Sequence, residues 1–122
     1  MQRDFTDIDD IVEGVVRTVD RIATPNAAYD SARPDPATSH APFRIFNIGN
    51  SGPVPLMDFI GCIEKALGKT ADKRLLPMQP GDVAATFAST TALNDWVGFS
   101  PSTPLQDGID CFVAWYRDYY QV

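Results

Sequence analysis

Histidine, cysteine and glycine-rich loops are scarce or missing in this chain, and each scarcity removes a class of chemistry. His40 is the only histidine, and it stands among prolines with no Cys or carboxylate cluster around it, so the sequence offers no metal-ligand set. Cys62 and Cys111 lie far from any C-x-x-C spacing and read as free thiols packed like small hydrophobes. No phosphate-cradling G-x-x-x-x-G-K-[ST] loop is present. Gly49 and Gly52 echo a G-x-G-x-x-G turn only weakly, because Pro53 follows them and a third glycine does not. No apolar run approaches the length of a membrane span, and Met1 to Phe5 has no signal-peptide core. The expectation is a cytoplasmic chain.

Positive charge is scarce too. Ten Lys and Arg stand against 16 Asp and Glu, for a net charge of −6 and a pI near 4.5, which excludes a general nucleic-acid binder or an anionic-membrane binder. What remains is an ordinary globular composition in 122 residues, enough for one domain or less.

The chain's elements can be read in order. Ile8, Ile11, Val12, Val15, Val16, Val19 and Ile22 fall at helical spacing, with Asp9, Asp10, Glu13, Arg17, Asp20 and Arg21 opposite them, and predict a helix from about Ile8 to Ile22. Thr6 is the expected N-cap, and Asp7, Asp9 and Asp10 suit the positive end of the helix dipole. Residues 23–42 carry four prolines and read as a long loop. Phe43–Ile48 alternates apolar and polar residues and predicts a strand; Asp72–Leu76 is a second candidate.

After the turn Gly49–Pro53, the stripe Leu56, Phe59, Ile60, Ile63 and Leu67 predicts a helix closed by Gly68. A short helix from about Thr90 to Val97 ends at Gly98. Thr103-Pro104-Leu105-Gln106 spells an N-cap, a proline at N1 and a glutamine at N3. Leu105, Ile109, Phe112, Val113 and Tyr116 form the expected buried face of that last helix, with Trp115, Tyr119 and Tyr120 adding aromatic mass. The fold class is therefore an α/β fragment, mostly helical, with about four helices and two short strands. Two isolated strands do not make a stable sheet unless something else pairs with them.

No catalytic constellation emerges. Asp9 and Asp10 are adjacent on a helix and point in different directions, so they are not an acid/base pair. Two segments look overspecified for structure alone. Arg3 precedes a helix N-terminus, where a guanidinium and backbone amides can share one anion. Gln79-Pro80-Gly81-Asp82 sets a carboxylate in a rigid turn, where it can accept from a diol. Capped helix entrance and ordinary turn are the plainer readings of the same residues.

In order along the chain come Arg3-Asp4-Phe5-Thr6-Asp7-Ile8-Asp9-Asp10, Phe46-Asn47-Ile48-Gly49, Pro80-Gly81-Asp82 and Gly98-Phe99. That series resembles the C-terminal half of extended short-chain dehydrogenase/reductases, the nucleotide-sugar epimerases and dehydratases. The insert from Pro25 to Pro42, the segment Leu76–Val83 and the ending Phe112-Val113-Ala114-Trp115-Tyr116-Arg117 look most like bacterial UDP-glucuronate 4-epimerases. The resemblance implies the C-terminal part of an extended Rossmann-type epimerase over residues 1–122. Residues 1–50 would be an edge helix and strand of the dinucleotide-binding domain, and 51–122 a substrate lobe.

It further implies that Arg3 grips the diphosphate of a UDP-sugar and that Asp82 binds the ribose. Gln79 stands where the family often has a phosphate-binding arginine and is expected to make a weaker polar contact. The family helix usually opens on Tyr or His where this chain has Asp7. The family's glycine-rich NAD turn and its Tyr-x-x-x-Lys catalytic pair have no counterpart here, since Tyr29 is followed four residues later by Arg33. The expectation is a partial UDP-sugar site with no catalytic residue and no cofactor bound by the chain alone. NAD and the conversion of UDP-glucuronate to UDP-galacturonate belong to the intact family enzyme. Self-association or a separate N-terminal half is the expected partner, and a non-catalytic interaction or scaffold module derived from the same lobe is the alternative.

Overall fold

The computed structural model describes all of residues 1–122. Its elements are β1 (Gln2–Asp4), α1 (Ile8–Asp20), β2 (Pro53–Pro55), α2 (Leu56–Leu67), α3 (Thr91–Val97) and α4 (Leu105–Tyr120). All four expected helices are present. The number of strands agrees as well, but their places do not.

β1 and β2 pair antiparallel, with Gln2 opposite Pro55, Arg3 opposite Val54 and Asp4 opposite Pro53. Pro53 and Pro55 have no N–H to give, so Val54 is the only amide donor within β2. The expected strand Phe43–Ile48 is extended but unpaired: a lone antiparallel bridge joins Arg44 to Thr38, and Ile45 N–H donates to Ala37 at 2.9 Å. An alternating sequence makes a strand only beside another strand, and none lies next to it here. Asp72–Leu76 pairs with nothing either. Just ahead of it, the Ala71 amide donates to the Glu64 carboxylate at 2.7 Å, which Lys73 also reaches. The hydrogen bond from Lys73, then that from Ala71, holds the Glu64 carboxyl below its usual range despite partial desolvation.

Helix starts differ in a consistent way. Asp7, not Thr6, is the N-cap of α1, its carboxylate accepting from the Asp9 amide at 2.9 Å. At α4 the expected Thr103 cap does not form, and Pro104 occupies the N-cap without a side-chain bond. Thr103 is engaged elsewhere: its amide, at 2.9 Å, and that of Ser102, at 3.1 Å, donate to the Asp10 carboxylate. A residue late in the first turn of α1 thus holds the approach to α4. The ends follow the sequence more closely, with Gly68 closing α2 and Gly98 closing α3 in left-handed geometry.

Packing is thin. Leu93, Ile109 and Val113 make up the buried hydrophobic core. Ile109 and Val113 come from the expected face of α4, but Phe112 and Tyr116 of that same face stay exposed. α2 lies on α4, joined by Gln106 Nε2 to the Cys62 carbonyl at 3.3 Å and Arg117 Nη2 to the Leu67 carbonyl at 2.9 Å. Arg117 supplies the cation that a helix C-terminus favours. Phe5 stacks on Phe59 with ring centroids 4.0 Å apart, locking the β1–α1 corner onto α2.

α1 docks on α3 through the Trp96 side chain, whose Nε1 donates to the Arg21 carbonyl at 3.3 Å. The Arg21 and Arg44 guanidiniums lie over the indole at 4.3 and 4.8 Å from its centroid, within cation–π range. No helix is long and apolar enough to cross a membrane.

Candidate functional site

β1 sets Arg3 in the middle of a three-residue strand. The facing chain is the loop before α3, fastened by Gln2 N–H to the Ala84 carbonyl at 2.8 Å and by Thr86 N–H to the Gln2 carbonyl at 3.3 Å. That fastening carries Asp82 to Arg3 across 79 positions of sequence. Arg3 Nη2 reaches Asp82 Oδ1 at 3.5 Å, and Nη1 donates to the Val83 carbonyl and to the Gln2 carbonyl, each at 2.9 Å.

The Asp82 carboxylate owes its position to the turn before it. Asp82 N–H donates to the Gln79 carbonyl at 3.1 Å, Pro80 sits at the second position, and Gly81 at the third has φ +91°. This is type II turn geometry, which a side chain at the third position would strain. Gln79 enters through its backbone: it is exposed, and its side chain bonds to neither Arg3 nor Asp82. The structure therefore brings two of the three anticipated side chains together, while the third, Gln79, takes part through its backbone carbonyl alone.

The Arg3 and Asp82 side chains are 28% and 44% exposed, respectively. At that exposure a 3.5 Å ion pair contributes at most about 1 kcal/mol, so an incoming ligand can part it at small cost. A guanidinium partly committed to carbonyls, with one nitrogen facing a movable carboxylate, can donate to a phosphate oxygen while the carboxylate turns to a hydroxyl donor.

Asp4, beside Arg3, was not singled out by the sequence, and it organises the region. Its carboxylate accepts four backbone amides: Asn50 at 3.1 Å, Ser51 at 3.1 Å, Gly52 at 3.4 Å and Ala88 at 3.3 Å. Gly49 has no room for a side chain, since a Cβ there would stand 2.7 Å from Asp4 Oδ2 and 3.0 Å from the Ala88 Cβ. Three amides of the Gly49–Gly52 turn, those of Asn50, Ser51 and Gly52, are thus committed to Asp4. A carboxylate one residue from Arg3 and a glycine-flanked turn are visible in the sequence, but nothing in their spacing shows that they meet.

Asp10 is the second missed anchor. Desolvation, the largest single influence, raises its carboxyl pKa, but the hydrogen bonds from Thr103 (amide and hydroxyl) and the Ser102 amide outweigh it and leave the pKa below the usual value. A concavity of about 270 Å³ between the start of α1 and α4, lined by Phe5, Asp7, Phe59, Leu105 and Phe112, is apolar and contains no cation. It belongs to helix packing. Cys62 is half-buried and Cys111 exposed, both free, and His40 lies 5.8 Å from the Tyr29 ring, remote from Arg3 in the proline-rich insert.

No family model matches the chain. It is 51% identical over 122 residues to an uncharacterized 37.6 kDa protein of Escherichia coli O111:H-, covering 100% of this chain and 36% of that protein. It is 44% identical over 125 residues to a probable UDP-glucuronate 4-epimerase of Rhizobium meliloti (strain 1021), covering 99% of this chain and 36% of that one. The crystal structure of a UDP-glucuronic acid 4-epimerase from Bacillus cereus, in complex with UDP-glucuronic acid and NAD, matches with a TM-score of 0.71 at 25% identity. That match covers 96% of this chain and 32% of the other. The chain thus spans about a third of the length of the proteins it matches.

Proposed function

We propose that this chain, a relative of the C-terminal part of nucleotide-sugar epimerases in the extended short-chain dehydrogenase/reductase family, carries the nucleotide-gripping half of a UDP-sugar site and performs no chemistry by itself. The observation that carries this reading is the meeting of Arg3 and Asp82 at 3.5 Å on the rim of the fold. Arg3 would take the diphosphate, the most highly charged part of the ligand, and Asp82 the ribose hydroxyls. Gln79 stands near enough along the turn to add a polar contact once the ligand is seated. UDP-glucuronate is the sugar nucleotide favoured by the names of the R. meliloti and B. cereus proteins. The reading assigns no NAD site to these residues; three of the four amides in the Gly49–Gly52 turn are engaged by Asp4.

Calorimetric titration of the chain with UDP-glucuronate, with UDP and NAD as comparisons, tests the reading. Saturable heat from both uridine ligands, none from NAD, and loss of that heat in Arg3→Ala is the expected result. A charge-assisted phosphate contact is worth about 1.5–3 kcal/mol, so Arg3→Ala should weaken UDP by roughly 10- to 150-fold. One observation favours the scaffold reading instead: Arg3 Nη1 already serves the Val83 and Gln2 carbonyls, as a purely structural arginine would. Silence from every nucleotide would mean that the pocket needs more than this chain supplies, and the chain would then stand as a structural remnant.

A further inference from the structure

The proline-rich insert folds back to make one wall of a cleft. Asn26 N–H donates to the Ser39 carbonyl at 2.8 Å and Asn26 Nδ2 to the Thr38 hydroxyl at 3.1 Å, which draws the two ends of the insert together. The bridge from Thr38 to Arg44 fastens that wall to the extended chain beyond it, and α3 supplies the wall opposite. Between them lies a cleft of about 270 Å³ whose lining includes Asp35, Thr38, Arg44, Phe46, Asp95 and Trp96. That is the space of about nine water molecules, or of one small organic molecule. The cleft shares no residue with the Arg3–Asp82 site.

Arg44 is the unusual member of the lining. Its guanidinium carbon stands 4.8 Å from the Trp96 ring centroid, a contact that engages the flat face of the group and none of its N–H donors. Arg44 is in no ion pair, and its Nε is buried without a hydrogen-bond partner. Folded proteins rarely leave a buried donor so, least of all a charged one. Arg21, over the same indole, gives its Nη1 to the Trp96 carbonyl. The two acids of the cleft differ in the same way. Asp35 is committed, Oδ1 accepting from the Ala37 amide at 2.9 Å and Oδ2 from the Thr38 hydroxyl at 3.0 Å. Asp95 is exposed and in no ion pair.

We propose that this cleft binds a small zwitterion, a molecule of amino-acid size with a carboxylate at one end and an ammonium at the other. The carboxylate accepts from the Nη groups of Arg44, and from Nε once the guanidinium turns toward it. The ammonium donates to Asp95, and the short carbon body lies against Phe46 and Trp96. Charge selects this class. A simple anion would meet two carboxylates beside the one guanidinium, and a simple cation would leave Arg44 unpaired. A ligand bearing both signs satisfies both free groups.

Calorimetric titration with glycine, γ-aminobutyrate and 6-aminohexanoate, which set the two charges at increasing separation, tests the site, with butyrate and butylamine as single-charge comparisons. At least one zwitterion is expected to saturate, about threefold tighter than butyrate and at least about tenfold tighter than butylamine. Arg44→Gln should weaken it at least about tenfold. Asp95→Asn, an exposed change that leaves the fold alone, should erase the advantage over butyrate. In a Trp115→Phe background Trp96 is the lone tryptophan, and its emission should change with the same midpoint as the heat. Silence from all three zwitterions overturns the proposal. So does a zwitterion bound no better than butyrate, one indifferent to either variant, or one that leaves the Trp96 emission unmoved.

Discussion

Replacing Asp4 by Asn probes the structure where the largest number of constraints converge on one side chain. The substitution keeps the shape but removes the charge and exchanges one acceptor oxygen for an NH₂ group, which must then face amide donors. Four amides end on this carboxylate, two of them at 3.1 Å and two at 3.3–3.4 Å. A hydrogen bond to a charged group contributes about 1.5–3 kcal/mol, and the half-buried position of Asp4 trims each one. Losing half of the set should cost about 2–3 kcal/mol, or a fall of roughly 10 °C in the melting midpoint for a domain of this size. The control is Asp9→Asn, since Asp9 is exposed and its carboxylate accepts no bond. Urea unfolding followed by circular dichroism gives both free energies. A difference between the two variants below about 0.5 kcal/mol, the range of unremarkable surface changes, would refute the idea that Asp4 holds the Gly49–Gly52 turn and Ala88 together.

Gly49→Ala attacks the same junction from the other side: the added methyl must displace the Asp4 carboxylate or the Ala88 methyl, at about 1–3 kcal/mol, and an unchanged urea midpoint would contradict the packing described. Acid should act through Asp10. Because its folded-state pKa lies below the unfolded value, its stabilisation is complete above the unfolded pKa of about 3.9. It is lost as pH falls through the lower folded value, so Asp10→Asn should flatten the stability profile below about pH 4, and an unaltered acid limb would count against the Asp10–Thr103 tie.

The helices could be read because each is specified within its own segment. The Ile/Val spacing of α1 and the glycines after α2 and α3 act over a turn or two, and the expected bounds are met within about two residues. Caps and strands were less legible because their partners lie elsewhere. Thr103 has the right chemistry for an N-cap, but Asp10, 93 residues away, takes its amide. Phe43–Ile48 has the right alternation for a strand and lacks a neighbour, while β2 hides behind two prolines that argue against any strand. In the site, Arg3 and Asp82 stood out through the likeness of their surroundings to a known family. Asp4 and Asp10 did not, because a carboxylate that gathers distant amides looks in sequence like any solvated acid.

The two tryptophans occupy unlike surroundings, and this gives the protein a built-in pair of optical reporters. Trp96 is half-buried between two guanidiniums, with its indole N–H held by the end of α1. Trp115 is 53% exposed on α4, stacked on Tyr119. A charge-flanked indole and a wet one emit at different wavelengths and respond differently to an added quencher. Parting of α1 from α3 would register in the Trp96 emission alone, and a molecule settling on the aromatic flank of α4 in the Trp115 emission alone. Two motions of this small fold can therefore be followed separately, with no label attached.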